Sequence, residues 1–146
     1  MNMQSTVNSV AETQTFAQEF IKKHHSTNVF ALVGELGAGK TTFVQAVAKS
    51  LGIINTVTSP TFLLLKSYPI PEPNNYRTLV HADMYRITEW NEIETLDLPS
   101  IWDNPKNLVL IEWADRIKDY LPSNAQFLYF THGGGDKRQI AWNDVA

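Results

Sequence analysis

Residues 29–42, VFALVGELGAGKTT, run from an apolar stretch through a glycine-rich loop to a lysine and two threonines. Gly34, Gly39, Lys40 and Thr41 meet the pattern GxxxxGK[ST], which arises by chance in roughly half a per cent of chains of this length. The residues before Gly34 suit a buried parallel strand, and Lys40 to Leu51 carries Phe43, Val47 and Leu51 at helical spacing. Strand, loop and helix therefore follow in the order that a phosphate-binding loop requires.

The chemistry follows from that order. Glycines at 34, 37 and 39 permit backbone conformations that aim successive N–H groups at phosphate oxygens, and the helix N-terminus adds its partial positive charge. Lys40 is expected to reach the terminal phosphates of ATP, and the Thr41 hydroxyl to take one position around Mg2+. Thr42 is their neighbour. A plain turn needs neither the lysine nor the paired threonines.

The 146 residues predict one domain, 1–146, able to bury about two-thirds of its unfolded surface. A net charge of −3 and the lack of any lysine or arginine cluster argue against direct grip on nucleic acid, so contact with RNA is expected only through a partner. Without cysteine there are no disulfides or thiolate metal sites. The N-terminus MNMQSTVNSV has no basic segment followed by a long apolar run, and a cytoplasmic ATP consumer without membrane contact is expected.

Ser9 to His25 places Val10, Phe16, Ala17, Phe20 and Ile21 on one helical face, with Thr13 or Ser9 as N-cap. His24 and His25 close that helix as exposed residues at its negative end. After Gly52, a natural C-cap, comes NTVTSPTF, in which Pro60 keeps Ser59 out of helical geometry. Ser59 and Thr61 could then serve the terminal phosphate or its metal, although on composition alone a plain turn is the favoured reading. Thr61 to Tyr68 reads as a strand, and PIPEPNN, 69–75, as an exposed excursion.

Two further apolar runs end in acids. Thr78 to Ala82 delivers Asp83, which would hold magnesium or cap the following turn; Asn107 to Trp113, NLVLIEW, delivers Glu112. An acid at such a strand end commonly orders the metal's water or the attacking water, and Glu112 is the preferred candidate. Trp113 either packs or walls the site. Between the runs, Thr88 to Leu98 predicts a helix capped by Thr88, with Trp90, Ile93 and Leu96 inward, and Leu98 to Pro105 a turn region. Ala125 to Thr131, HGGGD and Lys137 to Trp142 predict a β-hairpin.

With GELGAGKTTF, SPTF, HADMYRI and LIEWADRI in this order, the chain resembles the TsaE family, formerly YjeE, over nearly its whole length. The resemblance implies a P-loop NTPase-type three-layer α/β domain, with a mixed β-sheet and helices on both faces. It also implies ATP and Mg2+ binding and a weak ATPase that acts on a complex of TsaB and TsaD in threonylcarbamoyladenosine synthesis on tRNA, outside the carbamoyl chemistry itself. Transferred by position, Gly37, Ala38, Gly39, Lys40, Thr41 and Thr42 would bind ATP. Thr41 would ligate magnesium, and Ser59 and Thr61 would form a switch-like segment. Asp83 and Glu112 would serve metal and water, with Trp113 beside them, and Arg138 would contact nucleotide. Glu35, Ala82 and Met84 stand where Asp, an aromatic residue and Leu are common in the family.

Three other functions share the loop. A small-molecule kinase needs a second substrate site and closing arginines, a GTP switch needs an NKxD element, which NPKN at 104–107 does not supply, and a binding module would hold nucleotide without hydrolysis.

Overall fold

The computed structural model describes residues 2–143. Among these, seven strands form one mixed sheet: β1 (Asn2–Val7), β2 (Val29–Gly34), β3 (Leu65–Pro69), β4 (Thr78–Asp83), β5 (Asn107–Glu112), β6 (Gln126–His132) and β7 (Arg138–Asn143). Their spatial order is β1-β7-β6-β2-β5-β4-β3. β2 lies parallel to β5 and β6, and β4 parallel to β5, whereas β1, β3 and β7 join antiparallel to their neighbours. The expected mixed α/β sheet is present, and its four parallel strands occupy the middle.

Alternation along the central strands supplies both faces of the sheet. Phe30, Leu32, Leu79, Leu108, Leu110 and Leu128 pack with helices α1 (Val10–Lys23) and α2 (Lys40–Ser50). Val29, Ala31, Val80, Ala82, Val109 and Ile111 face the other layer, built from α3 (Leu98–Trp102) and the 3-10 segments Trp90–Glu92, Glu94–Leu96 and Ala114–Tyr120. Such strands, buried on both sides, read as continuous apolar runs.

Several elements differ from expectation. β1 was not legible, because NMQSTV is largely polar and its strand form comes from pairing with β7, Asn2 to Asn143 through Val7 to Arg138. Ser9 is the N-cap of α1, accepting the Glu12 N–H at 3.1 Å, but Val10 is 59% exposed and leaves the inward face. His24 is buried rather than exposed, stacked on Phe20 at a ring distance of 3.9 Å.

Thr88 to Leu98 is not one helix. Glu92 turns back on the Thr88 and Glu89 N–H groups at 2.7 and 2.8 Å, which closes a short 3-10 turn, and Asp97 adopts a left-handed conformation (φ 49°) before α3. The expected turn region 98–105 therefore begins with α3. The strand expected from Thr61 starts only at Leu65, because Leu64 is left-handed (φ 68°) and its N–H donates to Pro60 O at 2.6 Å. Residues 70–77 form the β3–β4 connection, exposed over 71–75 as expected, whereas Pro69 belongs to β3 and Ile70 is buried in the core; β6 and β7 form the expected hairpin. Among the described residues, no helix is long and apolar enough to cross a membrane.

Candidate functional site

The strands β2, β4 and β5 run in one direction and end together, at the edge where ligands bind in open α/β sheets. Gly34 closes β2 opposite Phe130 of β6, and a Cβ on Gly34 would lie 2.5 Å from the Phe130 carbonyl oxygen. Only glycine permits this approach. The loop then turns, with the Ala38 N–H on Glu35 O at 3.1 Å, and passes through Gly37 and Gly39 at φ 79° and 107°. Gly39 is the N-cap of α2 and has no side chain to engage the first N–H groups, so those donors can serve an anion.

Lys40 is buried at the floor. Its ammonium donates to Gly34 O and, at 2.9 Å, to Glu35 O, and lies 4.3 Å from the centre of the Trp113 ring. Burial pushes its pKa below the ordinary lysine value, while the charges of Glu112 and then Asp83 act in the opposite direction. An arriving phosphate would favour the ammonium in the same way as those acids.

The two acids sit side by side, since Asp83 and Glu112 are register partners at the ends of β4 and β5. Each is 3% exposed. Glu112 accepts the Thr41 hydroxyl at 2.8 Å on Oε1 and 3.1 Å on Oε2. Asp83 Oδ2 accepts the hydroxyls of Ser59 at 2.5 Å and Thr61 at 2.9 Å, and Oδ1 accepts the Tyr85 N–H at 2.9 Å. The Asp83 N–H in turn donates to Leu64 O at 2.9 Å. The SPT segment is thus fastened to Asp83 by its two hydroxyls, and the turn that follows it by the Leu64 carbonyl.

Trp113 departs from strand geometry (φ 55°) immediately after Glu112. Its ring meets Tyr85 edge to face at 4.8 Å, with the Arg116 guanidinium 5.5 Å from its centre. Gly37, Gly39, Lys40, Thr41, Thr42, Ser59, Thr61, Asp83, Glu112, Trp113 and Arg138 line one cleft of about 430 Å³. Ala38 is buried within the loop. Arg138 runs its stem along Gly39, but its guanidinium donates to Gly135 O and Lys137 O at 2.6 and 2.9 Å.

The oxygen donors gathered here, one hydroxyl and two carboxylates, match the hard-cation chemistry of magnesium. A small pocket of about 150 Å³ shares Gly39, Thr42 and Arg138 with the cleft and adds Val7, Ser9, Val10, Thr13 and Ile140. Phe130 and Asp136 also line it, and this mixed apolar and polar lining can take a flat heterocyclic ring. As a pocket these residues escaped the sequence reading because they come from the start of α1, from β7 and from the unanticipated β1, which are distant in sequence. His81, also unassigned in sequence, reaches Glu112 with Nε2 at 2.5 Å from Oε2.

The family model for the threonylcarbamoyl adenosine biosynthesis protein TsaE matches residues 7–140. Proteins named tRNA threonylcarbamoyladenosine biosynthesis protein TsaE are similar along most of their length. The Rickettsia bellii protein is 39% identical over 124 residues, covering 84% of this chain and 82% of its own. The Bacillus subtilis protein is 36% identical, covering 81% and 70%. The crystal structure of Bacillus subtilis YdiB superposes with a TM-score of 0.72 at 26% identity, covering 100% of this chain and 87% of that one. With the family model matched from strand β1 to strand β7, the chain belongs to the TsaE family of tRNA threonylcarbamoyladenosine biosynthesis proteins.

Proposed function

We propose that this protein binds ATP with Mg2+ and hydrolyses it in support of threonylcarbamoyladenosine modification of tRNA, acting on a TsaB–TsaD complex and meeting tRNA only through it. The observation that carries the reading is the meeting of Thr41, Asp83 and Glu112 beside the glycine loop. The loop N–H groups and Lys40 bind the triphosphate, and the base occupies the adjoining pocket at the start of α1. Thr41, Asp83 and Glu112 would hold magnesium, which on binding would neutralise charge on the phosphate oxygens. Glu112 orients the attacking water, Trp113 shields the cleft beside it, and Ser59 and Thr61 respond to the terminal phosphate through their bonds to Asp83.

The test is the rate of phosphate release from ATP, measured alone and after adding purified TsaB and TsaD. A slow rate that rises with both partners is expected. Transfer of phosphate to a small acceptor faster than hydrolysis would establish a kinase instead, and tight ATP binding without turnover in the full mixture would establish a binding module.

A further inference from the structure

We propose that His81 is the positioning residue of Glu112, a role that rests on the reading of Glu112 given above. His81 lies in the interior of β4 and is 0% exposed. It pairs with Leu110 on β5, two residues before Glu112, so strand alternation turns His81 and Glu112 to the same face of the sheet. That face is otherwise apolar here, with Leu79, Leu108, Leu110 and Phe43 in its core. A polar ring in such a layer is costly unless it is bonded, and among the described residues its one bond is to the Glu112 carboxylate.

The bond has a defined direction. Glu112 already accepts from Thr41 on both oxygens, so as a carboxylate it also accepts from His81, whose Nε2 carries the proton. Nδ1 is buried with no hydrogen-bond partner among the described residues, and a bare lone pair is tolerated there better than an unpaired N–H. His81 therefore grips Oε2, and the nearer contact of Thr41 falls on Oε1. A glutamate side chain is otherwise free to turn, and neighbouring Lys40 attracts it. A donor from a rigid strand holds the carboxylate in one orientation before metal and water arrive.

Three variants test this: His81→Leu removes the donor, His81→Gln retains an N–H at similar reach, and His81→Leu is repeated with Glu112→Gln. The first readout is the factor by which Mg2+ tightens binding of a non-hydrolysable ATP analogue. The second is kcat and KM for ATP with TsaB and TsaD. His81→Leu should cut the magnesium factor at least fivefold and kcat at least tenfold, with metal-free binding within threefold and KM raised by no more than the loss in the magnesium factor. His81→Gln should recover most of both, and His81→Leu should add nothing once Glu112 is Gln.

Unchanged magnesium factor in His81→Leu, equal loss in the Leu and Gln variants, or additive effects in the double variant would each overturn the proposal. If His81→Leu does not fold, His81→Asn, too short to reach Glu112, takes its place against His81→Gln. Failure of the wild type to hydrolyse ATP would refute the hydrolytic reading alone, because the magnesium factor reports the His81–Glu112 coupling without turnover.

Discussion

The Thr41 hydroxyl donates to both oxygens of Glu112, from a residue 71 positions earlier in the chain, at 2.8 and 3.1 Å. One residue lies in the first turn of the helix after the glycine loop and the other ends β5. Their contact joins the glycine loop, proposed to bind phosphate, to the strand end proposed to handle water.

Glu112→Ala should separate those two tasks. ATP binding, followed with a fluorescent analogue, should persist within a few-fold, whereas hydrolysis with TsaB and TsaD should fall by about 10² or more, the usual contribution of such a group. Normal hydrolysis by the variant would remove Glu112 from the mechanism.

Lys40→Ala should abolish nucleotide binding without unfolding the protein. In the wild type, ATP at about a hundred times its Kd should add roughly 2.7 kcal/mol of stability, or about 5–10 °C in Tm for a domain of this size. Thermal melts of the variant should show no ATP-dependent shift. Its ligand-free Tm should stay close to that of the wild type, because burial of the Lys40 ammonium opposes folding.

Two glycines of the loop should fail differently. A Cβ at Gly34 meets the Phe130 carbonyl at 2.5 Å, so Gly34→Ala should destabilise the fold by about 1–3 kcal/mol in urea unfolding. At Gly37 a Cβ meets nothing within 4 Å, but φ is +79°. Gly37→Ala should cost only about 1–2 kcal/mol of backbone strain and show its main effect as weakened nucleotide binding. A stability loss at Gly37 larger than that at Gly34 would contradict the geometry.

Trp113 should report the nucleotide. Its ring has the Lys40 ammonium 4.3 Å from its centre, and phosphate binding is expected to draw that ammonium away. Tryptophan emission should change when ATP is added to the wild type, and the change should vanish in Trp113→Phe even though Trp90, Trp102 and Trp142 remain. Persistence of the signal in Trp113→Phe would place its source elsewhere.

Much of the site was legible because its parts are punctuated locally. Glu112 follows an uninterrupted apolar run and Asp83 one broken only by His81, and the structure places them as partners at adjacent strand ends. Less legible were residues whose role depends on a distant partner. β1 is polar in sequence and becomes a strand only beside β7. His24 looks like a solvated helix end until Phe20 stacks on it, and Thr88 to Leu98 has helical spacing that Glu92 interrupts by bonding back to Thr88 and Glu89.

The glycine-rich loop is a matter of contiguous residues: glycine conformations, an open helix N-terminus and an adjacent lysine are all set within a dozen positions, so sequence by itself determined that part. Tertiary structure alone decided that Thr41 would meet Glu112, that Ser59 and Thr61 would both bond Asp83, and that His81 would lie within reach of the same carboxylate that Thr41 holds. Those contacts depend on strand order and register. Both arise from the summed packing of the two sheet faces, to which each residue adds a small share, and shifting the register of β4 against β5 by one residue would turn His81 to the opposite face from Glu112.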